Sequence, residues 1–398
     1  MPRIYMDANA TTPVLPEVLA AMAPFWSDRF GNASSVHQGG QRARAAVENA
    51  RKSVSNLLSG HPSEIVFTSG GTEGDNLALA GVLEASTPGP AHLITSSIEH
   101  HAVLHAAEAL QKRRGAEITL TVLPCDPDGL IQPQTLTAAL QPNTRLVSIM
   151  LANNETGALQ PITELARITH AGGALFHTDA VAAAGKLPID VNALGCDLLT
   201  LSGHKMHAPQ GVGALFVRRG TPLAPMLHGG THERQRRAGT ENLPGIVGFG
   251  HAAELARIWL TTDGPARLCH LRNQLENQLL STIPECGING PRPHRAPNTT
   301  NLHFEHVDSE SLVISLDLAG LAASGGSACQ SGATEPSHVL TAMGLPHARA
   351  RSSIRLSLTR HTTEAEVAEA VRLITSAVAR LRSLSPAWRA AHPTPPSA

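Results

Sequence analysis

The stretch Leu201-Ser202-Gly203-His204-Lys205-Met206-His207-Ala208-Pro209-Gln210-Gly211-Val212-Gly213 sets a lysine among small and polar residues, directly after an apolar run that reads as a strand end. An amine held in this way can lose its water and its proton and attack a carbonyl carbon. The competing reading is a solvated loop lysine, the common fate of the residue type. Other segments decide between them, because each offers something that a lysine-bound aldehyde cofactor needs. Phe176-His177-Thr178-Asp179-Ala180 ends a short apolar run on a carboxylate, which can hold a pyridinium nitrogen protonated or simply cap a helix. Ser69-Gly70-Gly71-Thr72-Glu73 lies between a strand and a helix, where backbone amides and a hydroxyl can meet an anion; an ordinary capped turn looks the same.

Three further segments carry reactive side chains. His100, in Ser97-Ile98-Glu99-His100-His101, stands at a strand end where it can stack on an aromatic ring or move protons near neutral pH. With 21 histidines in the chain, only that position singles it out. Cys329 sits in Ser324-Gly325-Gly326-Ser327-Ala328-Cys329-Gln330-Ser331-Gly332, a small and glycine-rich stretch where a thiolate can act, rather than in a buried apolar setting. Arg355 interrupts the alternating strand pattern of Ser352 to Leu358, so it must be exposed or paired, with a ligand carboxylate or with a structural acid. The basic run Arg234-Gln235-Arg236-Arg237 reads as a solvated or interface loop.

These residues need a scaffold, and the composition supplies one. The 398 residues are 42% hydrophobic and 16% charged, with a formal net charge of -1, so a large core forms and no polyanion or nucleic-acid partner is favoured. No apolar run approaches a membrane span, and the first residues lack the pattern of a signal peptide, so the expected location is cytoplasmic. The cysteines, Cys125, Cys196, Cys269, Cys286 and Cys329, are scattered and form no CxxC pair, which argues against disulfides and against a metal site.

Periodicity predicts helices over 17–25 and 41–58, then strands over 64–68, 92–95, 118–123, 145–151, 175–177, 197–201 and 213–217, alternating with helices from 72, 102–113, 135–140 and 162–170. This is an α/β pattern: a mostly parallel sheet of about seven strands, covered by helices on both faces, with ligands at the strand carboxyl ends. A smaller α+β domain follows, with a helix over 267–280, strands over 299–306 and 353–358, and a helix over 363–381 opened by a Thr363/Glu366 capping box. The expected division is an N-terminal segment over 1–14 packing with the small domain, a large domain over 15–255, a small domain over 256–385, and a disordered tail over 386–398.

Together the segments resemble the cysteine desulfurases of the nitrogen-fixation type, fold-type I pyridoxal-phosphate enzymes of the class V aminotransferase superfamily. The resemblance spans about residues 4–384. Its motifs include Asp7-Ala8-Asn9-Ala10-Thr11-Thr12, Phe67-Thr68-Ser69-Gly70-Gly71-Thr72-Glu73, Ala152-Asn153-Asn154-Glu155-Thr156-Gly157, Ser202-Gly203-His204-Lys205, Arg237-Ala238-Gly239-Thr240-Glu241-Asn242 and Ser327-Ala328-Cys329. The resemblance implies that Lys205 carries pyridoxal 5'-phosphate covalently, Asp179 pairs with its pyridine nitrogen and His100 stacks on its ring and moves a substrate proton. Gly71, Thr72, Ser202 and His204 would hold the phosphate, and Thr240 would reach the phosphate site of a partner subunit in a homodimer. Asn154 and Arg355 would bind the carboxylate of L-cysteine, and Cys329 would accept its sulfur for a scaffold or other acceptor protein. One position departs from the pattern: where the family has a glutamine bonding the cofactor's ring oxygen, this chain has Ala182, so weaker activity or an altered colour is expected. The alternatives are a selenocysteine lyase or related β-eliminase, which would need Cys329 less, and a non-catalytic docking module, which would have no need of Lys205, Asp179, Arg355 and Cys329 together.

Overall fold

The computed structural model describes residues 4–86, 89–325 and 336–392. In chain order its strands are β1 (Ile4–Tyr5), β2 (Ile65–Thr68), β3 (Ala91–Ser96), β4 (Ile118–Leu123), β5 (Thr144–Ser148), β6 (Leu175–Asp179), β7 (Leu198–Ser202), β8 (Gly213–Val217), β9 (Cys286–Ile288), β10 (Thr299–Phe304), β11 (Leu321–Ala322), β12 (Ser324–Gly325) and β13 (Ser353–Ser357). A seven-stranded sheet has the order β2-β8-β7-β6-β5-β3-β4, in which β8 alone runs against its neighbours. The expected mostly parallel α/β sheet is therefore present. Strands β3, β7 and β8 are buried along their whole length, as strands covered by helices on both faces must be. Edge strand β4 instead exposes Thr119 and Val122.

One apolar core packs the helices Gln38–Leu57, Ile162–Ala171 and Leu243–Leu260 on one face of the sheet. Another, with Leu77, Val82, Val103 and Leu110, packs the helices Gly71–Ala85 and His101–Arg114 on the other. A second, antiparallel sheet, β12-β13-β10-β9, has its own core with Leu302, Phe304, Ile354 and Leu356 against the helices Gly264–Thr282 and Glu364–Leu384. The last helix opens as its sequence announces: Thr363 N–H donates to Glu366 (2.8 Å) and Glu366 N–H to the Thr363 hydroxyl (3.2 Å). No helix among the described residues is long and apolar enough to cross a membrane.

The structure adds elements that periodicity does not show. Leu243–Leu260 is a helix despite three glycines. A Cβ at Gly250 would lie 2.4 Å from Ala50 Cα, so the helix crosses Gln38–Leu57 at backbone contact and needs glycine there. The helix Ser309–Leu318 is capped by the Asp308 side chain. The expected disorder from residue 386 is corrected in part: Pro386–Ala391 is a helix, capped by Ser385. Trp388 pins it, with the Arg382 guanidinium 4.2 Å over its ring and His306 5.6 Å from its centroid. A polar-looking tail hides this because the anchoring residues lie on earlier elements. Residues 393–398 lie outside the described residues.

The turn before Gly71–Ala85 shows how tightly the site edge is built. A Cβ at Gly213, on β8, would lie 2.6 Å from the Leu201 carbonyl oxygen and 2.7 Å from Gly70 Cα. Both are backbone atoms and cannot swing aside. Gly213→Ala is expected to lower stability by about 1–3 kcal/mol, read as a reduced Tm in calorimetry. An unchanged Tm would show that the edge yields.

Candidate active site

Strands β6 and β7 are adjacent and parallel, with Asp179 opposite Thr200, so their carboxyl ends open on the same edge. Asp179 closes β6, and Ser202 closes β7. The chain then turns through Gly203–Lys205 in one tight 3-10 turn. Gly203 N–H donates to the Val212 carbonyl at 3.0 Å, and the Gly203 carbonyl accepts from Met206 and Ala208, which fixes where Lys205 emerges. The carbonyl of His204 accepts from the Thr12 amide (2.9 Å) and hydroxyl (2.7 Å). The N-terminal segment thus clamps the lysine turn from outside.

A cavity of about 280 Å³ opens at this edge. Gly71, Thr72, His100, Asn154, Asp179, Ser202, His204, Lys205 and Arg355 all line it, as does Ala182. Thr240 is not brought in; it stands exposed on the segment before Leu243–Leu260. Cys329 lies outside the described residues. Asn9, Ala10, Asp75, Met150 and Val181 also line the cavity without having been singled out. For Asp75 a signal existed, an acid followed by the apolar run of a buried helix face.

Asp179 is buried and accepts the Val181 amide at Oδ1 (2.8 Å); no described residue hydrogen-bonds its Oδ2. Burial raises its pKa, against the Val181 hydrogen bond and the Lys205 charge. Asp75, also fully buried, is raised well above the carboxylate range by burial and by the Asp179 charge. His100 caps the helix His101–Arg114, its Nδ1 accepting the Ala102 amide at 3.1 Å. Burial, then the nearby Lys205 charge, lowers its pKa to about 4, so it is neutral at physiological pH. That contact places the ring proton on Nε2. His204 is likewise pushed down to about 4 by burial and by Lys205 and Lys186.

Arg355 is almost fully buried on β13. It donates to Asp7 (2.8 Å) and to the Asn154 carbonyl (3.1 Å), while its Nε has no partner among the described residues. The structural reading of this arginine is present as the Asp7 ion pair, and the residue also lines the cavity. Asn9 ties the corner together, donating from Nδ2 to the Asn154 carbonyl (3.0 Å) and to Thr299 (2.9 Å).

The residues present fit pyridoxal phosphate. The cavity has the scale of a small ligand. Asp179, with no described residue on its Oδ2, would suit a pyridine nitrogen, the start of the helix Gly71–Ala85 with Thr72 and Ser202 would suit a phosphate, and Lys205 would suit an aldehyde. Gly71 belongs to that cradle, since a Cβ there would lie 2.9 Å from Val181. Close by, Glu73 accepts from Arg237 (2.8 and 3.2 Å) and from the Ser69 amide (2.8 Å); burial works to raise its pKa, and Arg237 and Ser69 together lower it.

Residues 4–369 match the class-V aminotransferase family, and the chain belongs to it. Its relatives there include a cysteine desulfurase of Trichormus azollae, 49% identical over 383 residues that cover 96% of this chain and 94% of that protein. The cysteine desulfurase IscS of Methanosarcina thermophila is 46% identical over 96% of this chain and 94% of its own. Among solved structures, a NifS-like protein superimposes with a TM-score of 0.88 at 36% identity, covering 95% of this chain and 100% of that one. SspA in complex with cysteine superimposes with a TM-score of 0.78, also at 36% identity, over 90% of this chain and 100% of its own.

One acid at the site makes a pH prediction. Glu99, fully buried before His100, accepts from the Ser96 hydroxyl (2.5 Å) and the Met150 amide (2.9 Å) at Oε1, and its Oε2 has no partner among the described residues. Burial raises its pKa from 4.5 to about 8. Between those values the folded chain keeps the proton that the unfolded chain has lost, so this group costs stability progressively as pH rises through that window. Glu99→Gln mimics the protonated acid without titrating. Its Tm relative to wild type is expected to climb from about pH 5 to about pH 8. A pH-independent difference would contradict the assignment.

Proposed function

We propose that the chain is a cysteine desulfurase that uses pyridoxal 5'-phosphate, converts L-cysteine to L-alanine and leaves the sulfur as a persulfide on Cys329. The observation that carries this is the convergence of Lys205, Asp179 and a neutral His100 on one cavity beside the Gly71–Thr72 helix start. The 49% identity to a cysteine desulfurase supports the choice of reaction within the family. When bound, pyridoxal phosphate supplies an electrophilic aldehyde and a sink for electrons released at the substrate α-carbon.

The chain's own residues do the rest. Lys205 would hold the cofactor and take the proton from the substrate α-carbon. Asp179 would keep the pyridine nitrogen protonated. Gly71, Thr72, Ser202 and His204 would hold the phosphate. Arg355 and Asn154, which both line the cavity, would hold the substrate carboxylate. His100 would stack on the ring and move a substrate proton. The Cys329 thiolate would attack the substrate sulfur; the new S–S bond forms as the carbon–sulfur bond breaks, the electron pair of that bond passes to the substrate carbon, which takes up a proton, and the carbon skeleton leaves as alanine.

A homodimer with Thr240 serving the partner's phosphate site, a cytoplasmic location and delivery of the persulfide to an acceptor protein belong to the same proposal. So does a division into a large domain over 15–255 and a small one over 256–385, which the separate cores of the two sheets support. The test separates two roles. Cys329→Ser is expected to keep the coloured cofactor and to lose sulfide release from L-cysteine at least about 100-fold. A Cys329→Ser protein that releases sulfide at the wild-type rate overturns the sulfur-acceptor assignment.

A further inference from the structure

Lys186 is a second lysine beside the first. It follows Asp179 on a tight chain of turns, in which Lys186 N–H donates to the Ala183 carbonyl at 3.0 Å. Its side chain is buried at 6% exposure. Its Nζ donates to the Ala182 carbonyl at 3.0 Å and, at the long distance of 3.5 Å, to the carbonyl of Lys205 itself. Among the described residues no carboxylate lies within ion-pair range of it. The groups that face it are basic: His204, Lys205 and His207 from the connection after β7, Arg355 from β13, and Arg360 just beyond that strand. The acid nearest Arg355, Asp7, is already engaged by that arginine at 2.8 Å. Lys186 and Lys205 share one wall of a cavity of about 20 Å³, room for a single water, closed on other sides by Met206, Trp259, Leu268 and Leu358.

A buried cation without a counter-ion is costly, and the aliphatic stem could be replaced by an apolar side chain at no loss of packing. Two backbone carbonyls do not offset that cost. Burial, with the Lys205 and Arg355 charges adding to it, pushes Lys186 down to about 7. Electrostatic coupling is mutual, so whatever Lys205 does to Lys186, Lys186 does in return to Lys205.

We propose that Lys186 is a positioning residue for Lys205: anchored on the lysine's own carbonyl in a pocket of basic groups, it disfavours a second positive charge and holds Lys205 as the uncharged, nucleophilic amine. The inference rests on the proposed role of Lys205 and assigns a purpose to a group that the reaction does not otherwise use. Of the two Lys186 anchors, the one on the Ala182 carbonyl is the shorter.

The test uses Lys186→Met, which removes charge and hydrogen bonds, and Lys186→Gln, which removes the charge and keeps a donor. The holoproteins are titrated by absorbance, following protonation of the cofactor–lysine linkage. Both variants are expected to raise its midpoint by about one pH unit or more, a tenfold gain in proton affinity. A folded Lys186→Gln with a midpoint within about 0.3 unit of wild type overturns the proposal. If the chain binds no pyridoxal phosphate, the proposed function fails, and Lys186 is judged separately. Acetylation of Lys205 in the cofactor-free chain, followed across pH by mass spectrometry, must then shift upward in both variants; an unshifted profile overturns the proposal. Should neither variant fold, the wild-type chain decides it: a Lys205 that acetylates with the pH profile of a solvated surface lysine overturns the proposal, and one that reacts at lower pH supports it.

Discussion

The site depends on the register of two neighbouring strands. With β6 and β7 parallel and Asp179 opposite Thr200, a carboxylate and the lysine turn leave the sheet at the same level and the same edge. A slip of one residue would turn Asp179 to the opposite face and separate it from the cavity. That register is set by buried apolar residues on both strands, among them Phe176, Leu198, Leu199 and Leu201, and by β8, which pairs along the whole of β7. Reversed β8 brings Gly213 back against Gly70, so the turn at Gly70 and the lysine turn are packed as one piece.

Around this edge, burial governs charge. Histidines that would titrate near neutrality are held neutral: His100 and His204 at about 4, His177 at about 3. Two acids are held toward the protonated form, Glu99 at about 8 and Glu155 at about 7, the latter taking a 2.5 Å hydrogen bond from Ser337. What remains charged is used in pairs or faces the cavity, as with Arg355 on Asp7. Lys205 thus faces buried acids, Asp179 and Asp75, on the cavity side and the basic groups Lys186 and His204 nearby.

Much of the scaffold was legible because the strands advertise themselves. Ile118–Leu123 and Gly213–Val217 match their apolar and β-branched runs end to end, and the Thr363/Glu366 capping box marks its helix start. Lys205, Asp179 and His100 were legible because each stands just past such a run, where open sheets bind ligands. What the sequence could not show depends on partners far along the chain. Arg355 meets Asp7 across 348 positions, and the glycines of Leu243–Leu260 look like helix breakers until Ala50 is seen against Gly250. Lys186 reads as any surface lysine, because nothing local reveals that its amine ends on the carbonyl of Lys205.

The central claim is that Lys205 captures an aldehyde in the cavity that Asp179 and His100 line. Its most direct measurement is to supply the wild-type chain with pyridoxal phosphate, reduce with borohydride and map the modified peptide by mass spectrometry. The account predicts one stable pyridoxyl adduct, on residue 205. No adduct, or an adduct confined to other lysines, would contradict it.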